Sequence, residues 1–213
     1  MEQQQDYIRD ISEIRSMMER SSRFLSLSGW AGIMAGIYAL AGAYLAYAVF
    51  NFNSEGIANY YSLQSGYIVN GNILNLLQII LLGICIIILT IGTAIFLSQR
   101  KASKRNEKLW NSTSRRLLIN MSVPLVAGGI FILILIAKGL IGLVAPLTLI
   151  FYGLSLYIAS KFTFDDIKIL GLVNICLGLI SSYFIGYGLL FWALGFGVGH
   201  IVYGVYVHFK YEK

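Results

Sequence analysis

The chain has 213 residues, of which 57% are hydrophobic and only 12% are charged, and its formal net charge is +6. Soluble domains carry about 25% charged residues, so this composition excludes a water-soluble globule and predicts that lipid solvates most of the chain. The positive charge falls in short segments beside apolar runs, which favours anionic lipid headgroups as partners and argues against nucleic acid.

The first 23 residues are polar and predict a short amphipathic helix on the cytoplasmic side. Their apolar side chains follow a 4-3-4 spacing, which places them on one face of a helix. These residues are Tyr7, Ile11, Ile14 and Met18. The stripe has three candidate uses, which the sequence leaves open: packing on the protein's own transmembrane domain, lying on the membrane surface, or pairing with a partner chain.

The first two membrane spans are predicted at 24–50 and 73–97, with an external loop between them. Gly32 and Gly36 lie four residues apart in the first span, and small residues at this spacing let another helix approach closely. That helix belongs either to the same chain or to a second copy in a homo-oligomer. Residues 51–72 form a polar loop without Lys or Arg, which predicts an external position.

The segment Ser98–Arg116, between two long apolar runs, predicts a basic cytoplasmic loop. Seven of its 19 residues are Lys or Arg, and only Glu107 is acidic. Such a segment is strongly retained on the cytoplasmic side of a membrane. Its cations are the candidate contacts for anionic headgroups or a protein partner: Arg100, Lys101, Lys104, Arg105, Lys108, Arg115 and Arg116.

Four further spans complete a predicted transmembrane domain over 24–209. They are expected at 117–137, 139–160, 167–185 and 189–209, and a cytoplasmic tail follows at 210–213. With both termini inside, 15 of the 16 Lys and Arg residues are cytoplasmic, and Lys138 alone is outside. The sequence therefore predicts an all-α integral membrane protein of the inner (plasma) membrane. It would be a six-helix bundle of three helical hairpins, which a weak internal repeat also indicates.

One group of polar side chains is predicted near the middle of the membrane. His200 in the last span and Asn174 in the preceding span lie at matched depth, ~12–13 Å from the inner end at 1.5 Å per residue. We therefore expect a hydrogen bond between them or a shared polar pocket. Tyr203 lies on the same side of its helix as His200, and Thr93 is a further candidate for lining a solute pathway. The simpler interpretation is a structural bond between helices, worth about 1 kcal/mol.

Three other motifs are predicted to have structural roles. Asp165 and Asp166 precede a helix, and Asp is a common capping residue. The glycine-rich stretch 195–199 lies within a span, so helix packing is predicted for it and not phosphate binding. Cys85 and Cys176 fall inside apolar runs, which argues against a disulfide framework. The sequence predicts no cofactor and no metal site.

The leading hypothesis for function is a non-enzymatic membrane protein with a regulatory or protein-interaction role. The cores of the six predicted spans contain no Asp, Glu, Lys or Arg, although ion-coupled transporters usually need such groups. Residues 1–23 and the basic loop would be the contact surfaces. The alternative is a small channel or transporter for a neutral or weakly polar solute. A third hypothesis is an enzyme acting on lipid at the inner interface through Asp165, Asp166 or His208.

Overall fold

The computed structural model describes residues 28–49, 70–104 and 110–211, with the backbone alone at 70–76. Regular secondary structure in these ranges is helical, without strands, which confirms the predicted all-α class. Five helices are long and apolar enough to cross a membrane, by length and composition. The predicted helix at 1–23, most of the loop at 51–72, and both Arg105 and Lys108 lie outside the described residues.

The described chain contains seven α-helices, two 3-10 turns and one π-helical segment. The α-helices are α1 (Gly29–Ala48), α2 (Asn70–Lys104), α3 (Ser112–Ala137), α4 (Val144–Ala159), α5 (Ile167–Tyr183), α6 (Gly188–Trp192) and α7 (Gly199–Tyr211). The 3-10 turns Ile141–Leu143 and Ile185–Tyr187 precede α4 and α6, and the π-helical segment Ala193–Val198 joins α6 to α7. We refer to Ile185–Tyr211 as the last span.

Each of the six predicted spans corresponds to helical structure, but the helices differ in length. The fifth is α5, whose 17 residues extend ~25 Å, slightly less than the ~30 Å of a hydrocarbon core. In contrast, α2 has 35 residues and extends ~52 Å. The five helices of sufficient length are therefore those at the other five predicted positions.

The predicted basic loop at 98–116 is wrong in its extent, because most of its described residues are helical. α2 continues to Lys104, and α3 begins at Ser112. Arg, Lys, Gln and Ala are good helix formers, so the change from apolar to basic residues does not end α2. Asn111 and Ser114 then start α3 with a capping box, in which each side chain accepts a hydrogen bond from the other's amide.

The turn between α3 and α4 is built around Gly139. Its φ is 75°, a conformation that favours glycine because glycine has no Cβ. The Gly139 amide donates to the Ile136 carbonyl at 3.0 Å. The Leu140 amide donates to the Leu135 carbonyl at 2.8 Å, which completes a Schellman motif. The very short turn predicted at Lys138 is therefore present.

Glycines bring α1 into close contact with the last span. A Cβ on Gly29 would lie 2.6 Å from the Gly204 carbonyl oxygen, and a Cβ on Gly204 would lie 2.6 Å from the Gly29 oxygen. Two turns along α1, a Cβ on Gly36 would lie 2.5 Å from the Gly197 oxygen. The small-residue stripe of the first span thus packs on a helix of its own chain.

α4 packs between α3 and α5. Cβ atoms on Gly153 and Gly171 would each lie within 2.7 Å of the other residue's carbonyl oxygen, so α4 and α5 are in backbone contact. On α3, Gly128 leaves room for the ring of Phe151. The helices therefore form two groups, α1 with α2 and α3 with α4 and α5, and the last span packs against both groups.

α2 and α3 lie at the edges of the bundle. α2 packs chiefly on α1, and α3 packs chiefly on α4. Their other faces expose large apolar side chains along most of their length, such as Ile88 and Val123. Exposure of this much apolar surface to water would be unfavourable, so the arrangement is compatible with lipid as the solvent.

One end of the bundle brings together the charged ends of the helices. The Lys101 ammonium of α2 lies 5.7 Å from the centre of the Phe164 ring, which packs on Tyr211 at a centroid distance of 4.2 Å. Leu117 of α3 packs on Ala159 of α4 at the same end. The start of α3 and the ends of α2, α4 and the last span therefore lie side by side.

We call this end the basic end, because it carries eight of the nine described Lys and Arg residues. They are Arg100, Lys101, Lys104, Arg115, Arg116, Lys161, Lys168 and Lys210. The ninth, Lys138, follows α3 at the opposite end of the bundle.

Candidate functional site

The imidazole of His200 joins the last span to α4 inside the bundle. Its Nδ1 lies 3.0 Å from the Gly195 carbonyl oxygen, and its Nε2 lies 2.8 Å from the Tyr152 hydroxyl. A carbonyl oxygen only accepts, so Nδ1 carries a proton. In the neutral ring Nε2 is then the acceptor, and the Tyr152 hydroxyl donates to it. Both nitrogens of the imidazole are thus satisfied within the chain.

Aromatic rings enclose this hydrogen-bonded pair. Phe196 stacks on His200 at a centroid distance of 5.9 Å and an interplanar angle of 9°. The same ring packs on Tyr152 at 4.8 Å and on Trp192 at 5.0 Å. His200 is only 6% exposed. Side chains therefore fill the space around the imidazole.

The π-helical segment Ala193–Val198 shapes the chain next to His200. Its glycines permit close packing on both sides: a Cβ on Gly195 would lie 2.4 Å from Leu149, and a Cβ on Gly197 would lie 2.4 Å from Leu40. The predicted packing role of these glycines is confirmed. The π-helical turn also leaves the Gly195 carbonyl within hydrogen-bonding distance of the His200 ring. Such turns are frequent at functional sites.

Asn174 lies beside the same segment, but it does not bond to His200. Its side-chain NH₂ donates to the Leu170 carbonyl at 2.8 Å. The side chain is completely buried, and Oδ1 has no hydrogen-bond partner among the described residues. A Cβ on Gly195 would lie 2.7 Å from that oxygen. The predicted bond between Asn174 and His200 is therefore wrong, although both residues contact Gly195.

The other two predicted site residues, Thr93 and Tyr203, lie in different surroundings. The Thr93 hydroxyl donates to the carbonyls of Leu89 and Thr90 in its own helix, and α2 packs chiefly on α1. Tyr203 packs against the buried cluster of α4 and α5 around Leu156. Thr93 therefore lies apart from His200, whereas Tyr203 packs on the same buried cluster as Tyr152.

Tyr152 is the residue that the sequence-based prediction missed. The inner end of its predicted span is Ser160, and Tyr152 lies eight residues before it. This spacing gives Tyr152 the same depth in the membrane as was predicted for Asn174 and His200. A depth comparison across all polar side chains would have included it. α4, α5 and the last span each have a polar side chain at this depth. Which two of these side chains form a hydrogen bond depends on how the helices pack.

At the basic end, Asp166 makes a second cluster of polar contacts. Its carboxylate lies 3.0 Å from the Lys210 ammonium through each oxygen, and it accepts hydrogen bonds from the hydroxyls of Tyr211 at 2.7 Å and Tyr206 at 3.3 Å. Asp166 occupies the N-cap position of α5, but its side chain makes no capping bond. The predicted capping role of this side chain is therefore wrong.

This cluster favours the ionised form of Asp166. Burial raises the pKa of the carboxyl, but the hydrogen bonds from Tyr211 and Lys210 lower it more, so that the pKa lies below its usual range. The ion pair with Lys210 fastens the end of the last span to the start of α5. Asp166 is thus held as an anion by donors on another helix.

Most of the other cations of the basic end are exposed. They include Arg100 and Lys104 at the end of α2, and Arg115 and Arg116 at the start of α3. Among the described residues, no group of three or more His, Cys, Asp or Glu side chains is placed to hold a metal ion. The basic end therefore presents a cationic surface and not a ligand set for a metal.

Fold and site together define an all-helical chain with five helices able to cross a membrane, a packed internal polar pair and a cationic end. Comparisons with protein families, curated proteins and solved structures find no match for this chain.

Proposed function

We propose that the chain is a six-span inner-membrane protein that acts without catalysis, as an interaction or regulatory protein. In this proposal α5 is the sixth crossing, and the basic end faces the cytoplasm together with both termini. Its partners are anionic lipid headgroups and a cytoplasmic protein, which would contact residues 1–23 and the cationic surface.

The one-sided distribution of charge carries this proposal. Eight of the nine described Lys and Arg residues lie at the basic end, and such residues are enriched on the cytoplasmic side of membrane proteins. The cytoplasmic leaflet is anionic, and each nearby Lys or Arg contributes ~1 kcal/mol of attraction to it. The exposed cations at the end of α2 and the start of α3 are well placed to make such contacts.

A small channel or transporter is the second candidate, and the unpartnered buried oxygen of Asn174 is the observation that favours it. The packing around His200 supports it less, because Tyr152 and Phe196 fill the space beside the imidazole. A lipid-modifying enzyme has less support again, since the Asp166 carboxylate is engaged by Lys210 and Tyr211.

Deletion of residues 2–23 tests the proposed interaction role. The full chain and the deleted chain are cross-linked in cells and purified from membranes. We expect a specific cross-linked protein with the full chain and its loss on deletion, while thermal unfolding shows the bundle still folded. Replacement of Tyr7, Ile11 and Ile14 by Ser is the matched variant, because it keeps the length and charge of the segment.

Two further results would contradict this function. The first is labelling of cysteines introduced at Tyr61 and Lys104 from the same side of the membrane, which would contradict the orientation. The second is a change in solute flux into proteoliposomes on His200→Ala, with no cross-linked protein lost on deletion of residues 2–23. That combination would favour the transporter instead.

A further inference from the structure

A stripe of polar side chains on the last span runs from the buried imidazole to the basic end. Tyr203 follows His200 by three residues, and Lys210 and Tyr211 follow Tyr203 by seven and eight. Side chains at these spacings lie on one side of a helix. The stripe extends ~16 Å along the helix axis, so it connects the middle of the bundle with its basic end.

Each end of this stripe is a hydrogen-bonded group that can accept or release a proton. At the buried end, the Tyr152 hydroxyl donates to Nε2 of His200 at 2.8 Å. At the basic end, the Tyr211 hydroxyl donates to the Asp166 carboxylate at 2.7 Å, and the Lys210 ammonium lies 3.0 Å from the same carboxylate. Lys210 is exposed, so this end exchanges protons with the solvent.

Tyr203 lies between the two groups. It packs on the buried cluster around Leu156 together with Tyr152. Its hydroxyl interacts electrostatically with Tyr152 on one side, and with Asp166 and Tyr211 on the other. A hydroxyl both donates and accepts a hydrogen bond, so Tyr203 has the chemistry to pass a proton. Side chains fill the space around the imidazole, so a proton reaches it through such groups and not through open water.

The aromatic surroundings of the imidazole suit a cation. The Phe196 ring stacks on His200 at a centroid distance of 5.9 Å, and the Tyr152 ring lies at 5.4 Å. Aromatic faces attract cations within about 6 Å of the ring centre. This attraction offsets part of the cost of burying an imidazolium.

Two tyrosines are the titratable groups that face His200 among the described residues. Tyr152 approaches it from α4, and Tyr203 lies one turn along its own helix. α1 and α5 contact this part of the last span through uncharged residues. Gly32 lies against the His200 carbonyl, and Leu170 lies against the residue before it. The charge of the imidazole therefore depends on protons that the two tyrosines deliver.

We propose that His200 is a proton-binding site, and that Tyr203 and Tyr152 deliver protons to it from the basic end. In each transfer the O–H bond of Tyr152 breaks and an N–H bond forms at Nε2. The Tyr152 oxygen takes a proton from the Tyr203 hydroxyl, and Tyr203 recovers one from the solvent at the basic end. Both tyrosines stay neutral, and the imidazole gains one proton and one positive charge. This activity is independent of the proposed interaction role, since it involves no partner chain.

Nitrogen NMR of isotope-labelled histidine in the full chain tests the binding site. The chain has two histidines, His200 and His208, so His208→Gln leaves one labelled imidazole. In phosphatidylcholine vesicles we expect a neutral ring protonated at Nδ1 at about pH 8, and its reversible conversion to imidazolium by about pH 5. A ring that stays neutral down to about pH 5 would overturn the proposal.

Removal of single hydroxyls tests the path. Tyr203→Phe keeps the ring in place. Tyr157→Phe is the matched control, because Tyr157 lies five residues after Tyr152 on another side of α4, with its ring under the Lys168 ammonium at 5.5 Å. Time-resolved infrared spectroscopy after a light-induced pH jump measures the rate of imidazolium formation.

Tyr203→Phe should slow imidazolium formation about 100-fold, the usual contribution of a positioned proton donor. Tyr157→Phe should leave the rate unchanged. Equal rates in the two variants would show that protons bypass Tyr203, and the path would be wrong.

The side from which protons arrive is a second measurement, and it needs no tyrosine variant. Sealed vesicles are prepared with the basic end outward, as shown by complete labelling of a cysteine at Lys104 with an impermeant reagent, in a chain with Cys85→Ser and Cys176→Ser. Acid added outside should protonate His200 promptly, whereas acid confined to the inside should not. Conversion that is equally fast from the inside would overturn the proposal.

Discussion

Tyr152→Phe tests how much the bond between α4 and the last span stabilises the bundle. Phe keeps the aromatic ring that packs on Phe196, but it removes the hydroxyl that donates to His200 at 2.8 Å. His200 is 6% exposed, so its Nε2 would lose its partner while staying buried. Leaving a buried polar group unsatisfied costs about 1–3 kcal/mol in soluble proteins.

The expected loss of stability is smaller for a bond between membrane helices. Hydrogen bonds between membrane helices average about 0.6 kcal/mol and reach about 1.7 kcal/mol. Because this acceptor remains enclosed by aromatic rings, we expect a loss of about 1 kcal/mol, which is about a fivefold change in the folding equilibrium.

Reversible unfolding by SDS in mixed micelles, followed by tryptophan fluorescence, measures this change. Tyr183→Phe is the matched control, since Tyr183 is 83% exposed and lies at the end of α5. If Tyr152→Phe is no more destabilising than Tyr183→Phe, the hydrogen bond between Tyr152 and His200 does not stabilise the bundle.

Three further substitutions probe other features. Gly139→Ala should destabilise the protein by about 1–2 kcal/mol in the same SDS titration, because the φ of 75° at this position strains any residue with a Cβ. Gly139→Asn should destabilise the protein less, because Asn tolerates this conformation better than Ala. Asn174→Leu should leave stability unchanged or raise it, because Oδ1 has no partner among the described residues and the NH₂ donates to a carbonyl of its own helix. A loss above about 1 kcal/mol would show that Oδ1 is satisfied. Asp166→Asn should lower the midpoint of thermal unfolding at pH 7. The pKa of Asp166 is lower in the folded protein than in the unfolded chain. Its contribution to the free energy of unfolding is therefore fully present above the unfolded-state pKa of about 3.9 and is lost as the pH falls through the folded-state pKa. An equal drop in the unfolding midpoint at pH 7 and below pH 3 would contradict this.

The positions of the helices were predictable from hydropathy and charge. Long apolar runs predict spans because backbone polar groups must be satisfied internally in lipid, and each predicted span corresponds to helical structure. The ends of the helices were less predictable. α2 continues to Lys104 because basic residues are good helix formers, so the end of an apolar run does not mark the end of a helix.

The sequence predicted the depth of the buried polar side chains in the membrane, but not which of them form hydrogen bonds with each other. The sequence placed Asn174 and His200 at one level, but rotation about the helix axes decides which side chains meet. The π-helical segment changes that rotation before His200, and glycine contacts between α4 and α5 set it for Tyr152. The contacts of Asp166 have the same origin, since its partner Lys210 lies 44 residues away.

The backbone contact between Gly29 and Gly204 has a consequence for biosynthesis. Among the described helices, α1 emerges from the ribosome before the others and α7 after them, and proteins are made at about 5–20 residues per second. For about 9–35 s the glycine face of α1 is therefore without its final neighbour. This contact forms only after the last span has been made, so cutting off the last span would remove the partner of the first.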